Sequence, residues 1–245
     1  MTKTKKTLFT ILSIILWIGI WWICSLLISN RFFLPSPLHT AEALFELLGS
    51  ATFYKVVLLT LFRVLLSIVI GAVSGIALGI LCHRFSWLFQ FISLPISVIK
   101  ATPVASFIIL LWILLRGDSL AILVSVLMVL PIVFQNTIDG FSSVSVELIE
   151  VANLYNFTFK ERLKVLYLPV IYRFIYPALI TSVGLAWKAE IATEIIAYTR
   201  NSIGQNINDA KTALLTPTVF AWTLIIVTMS ILLEYLARRL LGRQK

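Results

Sequence analysis

Six stretches of this chain are apolar for about the length of a bilayer crossing, and this leaves few folds open to it. Leu8–Ile28 runs for 21 residues, roughly 31 Å as a helix, enough to span a hydrocarbon core. Val56–Cys82 carries Arg63 near its start, so its part in lipid is expected to be Val64–Cys82. Trp87–Leu115 is interrupted by Pro95, Lys100 and Pro103 and reads as one broken or tilted span. Leu120–Ile138, Phe174–Ala197 and Pro217–Leu236 complete the set, the last opening on Thr216-Pro217, where proline has no amide to leave unsatisfied. Lipid cannot hydrogen-bond a bare backbone, so apolar runs of this length fold as helices. The fold class is therefore all-α polytopic membrane protein. Composition agrees: 60% of the residues are apolar and 13% charged, more apolar surface than a soluble domain of 245 residues can hide.

A net charge of +9 would ordinarily suggest nucleic acid. Here the basic residues fall between the apolar runs, which is how orientation is encoded in membranes, and no nucleic-acid partner is expected. With the N-terminus inside, the inner set is Lys3, Lys5, Lys6, Arg84, Lys160, Arg162, Lys164, Arg173, Arg238, Arg239, Arg243 and Lys245. The outer set is Arg31, Lys55, Arg116, Arg200 and Lys211. Twelve against five places both termini in the cytoplasm. Lys3, Lys5 and Lys6 before an apolar run could open a signal peptide. The run is too long for one, and no small-x-small cleavage site precedes Asn30-Arg31, so a retained helix is expected. Cys24 and Cys82 fall at opposite membrane faces, as do His39 and His83, so neither a disulfide nor a metal site is expected. No serine or cysteine has a plausible base beside it, which argues against a membrane enzyme.

Two connections are more than turns. The outer one, Arg31–Lys55, holds Leu34-Pro35-Ser36-Pro37 and then an amphipathic stretch, Thr40–Leu48, expected to lie along the membrane surface. The inner one, Asp139–Arg173, predicts a short helix over Val144–Leu154, with Val146, Leu148, Ile149 and Ala152 available for packing. Tyr155-Asn156-Phe157 breaks it. A second helix is expected to start at Thr158, where Thr158-Phe159-Lys160-Glu161 has the capping-box spacing, and to end at Leu166-Tyr167-Leu168-Pro169. A helix–turn–helix beneath a membrane suits docking on a soluble partner better than it suits a solvated linker.

This loop resembles the EAA motif of ABC importer permeases: Glu-Ala-Ala, three residues, Gly, nine residues, then Ile-x-Leu-Pro. Glu150-Val151-Ala152 takes the first place, Asn156 the glycine place, and Leu166-x-Leu168-Pro169 closes it at the matching distance. Val151, Leu166 and Asn156 depart from the pattern, although asparagine is the residue that best replaces glycine at left-handed backbone angles. Leu34-Pro35-Ser36-Pro37, Lys100-Ala101-Thr102-Pro103, Trp187 seven residues before Glu194, and Ile203-Gly204-Gln205 at a usual Gly-x-Gly are similar to the nitrate/sulfonate/taurine branch. The resemblance implies a type I importer (MetI-like) transmembrane fold: an N-terminal helix and outer connection over 1–55, then a core over 56–241 containing the coupling loop 139–173. It implies a second permease subunit, identical or different, and a pathway at the interface between the two. The loop would dock on cytoplasmic ABC ATPase subunits, and an extracytoplasmic solute-binding protein would deliver the solute. The chain has no G-x-x-x-x-G-K-[ST] phosphate loop, so ATP and magnesium are expected on the partner and no cofactor on this chain. The implied solute is a sulfonate, taurine or nitrate; related permeases serve thiamine precursors and other heteroaromatics.

Ionisable groups inside a span are expensive and are functional candidates for that reason. Glu190 and Glu194 are four apart and share a face of the fifth span; Lys188 points elsewhere; Lys100 and Pro103 stand at the break in the third. These five are the candidates for the pathway or its outer gate, with ion pairing between helices as the structural alternative. Gly71-Ala72, Gly75 and Gly79 have the spacing that lets helices approach closely. Trp17, Trp21 and Trp22 are expected to face lipid or its interface. An ATP-independent secondary transporter is the competing class, but no internal inverted repeat is visible, and a docking helix has no evident role there.

Overall fold

The computed structural model describes residues 3–28 and 33–242; Asn30, Arg31, Arg243 and Lys245, which entered the charge argument, lie outside the described residues. Among the described residues every regular element is helical. The long helices are α1 (Lys3–Ile28), α3 (Ala51–Arg84), α6 (Asp118–Ser142), α9 (Leu168–Ile196) and α11 (Thr216–Leu241). Shorter ones are α2 (Pro37–Leu48), α4 (Ser86–Ala101), α5 (Val104–Trp112), α7 (Val146–Leu154), α8 (Phe159–Glu161) and α10 (Ile203–Thr212). Among the described residues five helices are long and apolar enough to cross a membrane.

The sixth crossing is the pair α4 and α5, broken at Thr102-Pro103 and bent by 104°. Proline clashes with the preceding turn and lacks an amide, so a helix stops before it. Packing explains why this bent pair must still return the chain across the bundle. Along α3, Gly71 abuts Val126 and Val129, Gly75 abuts Leu130 and Val133, and Gly79 abuts Thr137 on α6. The two series ascend together, so α3 and α6 are parallel. Their connection must therefore cover roughly the 30 Å that separates Arg84 from the level of Arg63. By contrast α9 runs against α6, with Ser125 beside Glu190 and Gly140 beside Ile171. It also runs against α11: the Trp187 Nε1 donates to the Ile226 carbonyl at 3.1 Å, and Gly184 faces Glu234.

The core is where these helices meet, with Val64, Val129, Val133, Ala186, Trp187 and Trp222 essentially unexposed. A second cluster packs α5 on α6 and α9 through Ile108, Leu120, Val124 and Ala189. Ser36 caps α2 by accepting from the His39 amide at 3.3 Å, with Pro37 as the first helical residue. Thr40 and Ala43 on α2 are buried, so this amphipathic helix packs on protein, chiefly α11, instead of resting only on the membrane surface. Trp21 is half-buried. Its Nε1 donates to the Pro35 carbonyl at 3.0 Å, and its ring stacks on Phe220 at the start of α11.

Close α3–α6 contact depends on the absence of side chains. A Cβ on Gly75 would stand 2.9 Å from both the Leu130 carbonyl oxygen and the Val133 Cβ, nearer than real contacts allow. Gly75→Leu is expected to destabilise the fold by about 1–3 kcal/mol or more, as overpacking does. Gly19→Leu, on a surface with open space around it, should be neutral. Thermal melts of the two variants in one detergent decide the matter.

Candidate functional site

Two regions carry the chemistry: the loop between α6 and α9, and the polar groups within the helices. In the loop, Ser145 caps α7 by accepting from the Leu148 amide at 3.4 Å, so the helix starts at Val146 and Val144 is buried instead. Asn156 adopts φ 51°, the left-handed angle that the glycine place of the motif calls for. Around it the Phe157 amide donates to the Ala152 carbonyl at 2.9 Å and the Asn156 amide to Asn153 at 3.0 Å. These bonds satisfy carbonyls that the end of α7 would otherwise leave bare.

The capping box forms as its spacing predicts. The Thr158 amide donates to Glu161 Oε2 at 2.7 Å, and the Glu161 amide returns a 3.4 Å bond to the Thr158 hydroxyl. The path of the chain after this cap differs from expectation. Instead of ending at Leu166–Pro169, it passes from α8 through a π-helical turn, Arg162–Tyr167, directly into α9. Proline at 169 would end an ordinary helix by removing an amide and crowding the carbonyl four residues back. The wider turn relieves this, with the Leu168 amide bonded five residues back to Leu163. Ring contacts tie the loop to the long helices: His83 of α3 stacks on Phe141 of α6 at 4.3 Å, and Phe141 meets Tyr167 at 5.5 Å.

Of the loop positions singled out in the sequence, Ala152 and Leu166 are buried within the loop, while Glu150, Val151, Leu168 and Pro169 are exposed. Val146, Leu148, Val151, Leu154 and Tyr155 are left exposed, Leu154 to 79%, with the exposed carboxylates of Glu147 and Glu150 among them.

Within the helices, Glu194 is fully buried and has three kinds of donor. Its Oε1 accepts from the Thr60 hydroxyl at 2.7 Å and from Arg63 Nη1 at 3.1 Å; its Oε2 accepts from the Gly204 amide at 3.1 Å. Arg63, itself 3% exposed, also reaches Asp118 Oδ1 at 2.9 Å and the Arg200 carbonyl at 3.3 Å. One guanidinium thus joins α3, the start of α6, α9 and the turn before α10. Gly204 is required here, because a Cβ would stand 2.4 Å from the Glu194 Cβ and 2.5 Å from the Glu194 carbonyl carbon. Glu190, also unexposed, accepts from the Ser125 hydroxyl at 2.8 Å through Oε2, and its Oε1 has no partner.

Lys100 and Lys188 are exposed. Lys100 borders a cavity of about 400 Å³ at the α4–α5 break, shared with Pro103, Met128, Pro131 and Leu185. Among the described residues no cluster of three or more His, Cys, Asp or Glu could hold a metal ion.

The model of the binding-protein-dependent transport system inner membrane component family matches residues 67–244. The chain belongs to that family. It is similar to the putative aliphatic sulfonates transport permease protein SsuC of Bacillus subtilis, at 24% identity over 84% of this chain and 75% of that one. It is also similar to the taurine transport system permease protein TauC of Escherichia coli, at 26% identity over 91% and 84% of the two chains. It is therefore the permease component of a binding-protein-dependent ABC importer, a multi-pass protein of the bacterial cytoplasmic membrane.

In this permease the charged residues read from the sequence separate into two groups. Glu190 and Glu194 face the interior of the subunit, while Lys100 and Lys188 face open space. Of the residues that accompany the carboxylates, Arg63 stands out in the sequence only as a charge at the edge of a span, and Thr60, Asp118 and Ser125 carry no signal there. The sequence showed one arginine, two lysines and two carboxylates in the spans without saying which would meet. The Gly204 position was the available hint, since a glycine beside a carboxylate ten residues earlier marks a close backbone approach.

Removing one partner of a buried ion pair leaves the other charge uncompensated, at a cost of about 3–5 kcal/mol. Glu194→Ala and Arg63→Ala are each expected to lower stability on that scale, and the double variant by clearly less than their sum; a double-mutant cycle on thermal midpoints measures this. The loop gives a pH prediction. The Thr158 amide, and then its hydroxyl, hold the Glu161 carboxyl below its ordinary range. A depressed carboxylate contributes stability above its unfolded pKa and loses it as pH falls through the folded value. The protection factors of the 159–162 amides, taken against the intrinsic exchange rate at each pH, should therefore fall on acidification, and Glu161→Gln should abolish that dependence.

Proposed function

We propose that α7 and the turn after it are the surface through which a cytoplasmic ATPase drives this permease. The carrying observation is the set of exposed apolar side chains Val146, Leu148, Val151, Leu154 and Tyr155, projecting from a loop whose own turn, cap and ring contacts are formed. A loop so ordered internally leaves this face for a partner, since an exposed patch of this kind on an ordered scaffold marks an interaction site. Ala152, Asn156 and Leu166 shape the element, while Glu150 and Val151 present it. Leu168 and Pro169 begin α9, so a push on α7 passes without a flexible linker into a crossing helix.

The basic residues support a cytoplasmic position for this loop, with both termini on the same side. A second permease copy or sibling would complete the pathway along the open faces carrying Lys100, Pro103 and Lys188, and a separate binding protein would supply the solute. The similarity to an aliphatic sulfonates permease and a taurine permease supports a small sulfonate-type solute.

Purification of the tagged chain from its native membrane in mild detergent tests the coupling surface. An ATPase is expected to accompany the wild-type chain and to be lost from Val151→Arg/Leu154→Arg. Both side chains are exposed, so the variant keeps the fold. Retention of the ATPase by that variant would refute the assignment, and its absence from wild type would refute the importer coupling itself.

A further inference from the structure

Lys100 and Lys188 carry a chemical meaning beyond their place on an open face. Among the described residues the ion pairs are those of Arg63 with Asp118 and with Glu194, so neither Lys100 nor Lys188 has a carboxylate within pairing distance. Both carboxylates of the fifth span are turned inward and unexposed. Lys100, in the last turn of α4, borders a cavity walled by Met128 and Pro131, residues of the middle third of α6 and so roughly 15–20 Å from the Asp118 end. One turn beyond Leu185, which borders that cavity, Lys188 lines a second one of about 310 Å³ with Thr181, Glu234 and Arg238. Leu185 belongs to both walls, so the two cavities are neighbours along one surface. An unpaired ammonium at membrane depth cannot face hydrocarbon without a heavy penalty; it must face water or a charge of the opposite sign.

Resting on the pathway reading above, we propose that Lys100 and Lys188 are an anion-selective element, two successive cationic positions on an apolar wall that pass a small organic anion with an aliphatic body and reject cations. Positive side chains lining a pore select anions by the same electrostatics that acidic rings use for cations. The second cavity is lined by two cationic side chains, Lys188 and Arg238, against the one carboxylate of Glu234, a net positive charge. The apolar remainder of the Lys100 cavity, with Pro103, Met128 and Leu185, suits the carbon skeleton of such a solute.

The test uses the complete transporter, with its partner ATPase and binding protein, in proteoliposomes. Ethanesulfonate is the anionic probe and ethylammonium the cationic one. Wild type is expected to take up ethanesulfonate with ATP and to exclude ethylammonium. Lys100→Gln and Lys188→Gln should each lower ethanesulfonate uptake at least tenfold, and Lys→Arg should retain at least half. Lys100→Cys in a Cys24→Ser background adds a test on protein already folded. A cationic thiol reagent should restore uptake to that variant and an anionic one should not. Wild-type rates in both glutamine variants, equal losses in the arginine and glutamine variants, or equal recovery with either thiol reagent would overturn the proposal. ATP-driven uptake of ethylammonium by the wild-type complex would overturn it too, while leaving the importer reading intact; failure of the complex to form is the separate outcome that removes that reading.

Discussion

Glu194 accepts hydrogen bonds from α3 and from the amide that opens α10, while the arginine that neutralises it holds the start of α6 as well. In hydrocarbon an unpaired carboxylate or guanidinium would be intolerable, so the cluster forms only when all four segments are in register. The packing of Gly204 against the backbone of Glu194 follows from that requirement, and so does the position of the turn over 197–202. Apolar packing alone would leave the helices free to slide, because lipid tails are as apolar as the side chains. The polar cluster at one end and the glycine contacts of Gly71, Gly75 and Gly79 along the shaft remove that freedom.

The parallel run of α3 and α6 has its own consequence. Two parallel neighbours in sequence need a return path, and here that path is a helix broken at Thr102-Pro103. The break leaves the space that Lys100 borders, so the cavity is a by-product of topology as much as of local sequence. At the opposite end the π-helical turn lets Pro169 sit inside a helix that continues from the loop into the membrane. The rings of His83, Phe141 and Tyr167 tie this turn to α3 and α6.

Much of this was legible in the residues. The apolar runs, the close-packing glycines, the capping box at Thr158 and the left-handed Asn156 depend on composition or on interactions a few residues apart, and each follows from local chemistry. The interruption at Pro103 was equally plain, whereas its 104° bend was not, since proline forbids a straight helix without fixing a direction. Pro169 misled for a related reason: a helix terminator by local rules is accommodated when a wider turn precedes it.

The sequence by itself determined that the chain is a bundle of membrane-crossing helices, where those helices run, which family its loop and proline motifs belong to, and where its intramembrane charges stand along the chain. Only the tertiary structure decided how those charges are used. Helical periodicity places Glu190 and Glu194 on one face and Lys188 on another, but it does not say which face meets a neighbouring helix. That choice is made by pairing across more than a hundred residues, between Arg63 and Glu194, because a buried charge is stable only beside its partner and the partner's position is a property of the packed fold.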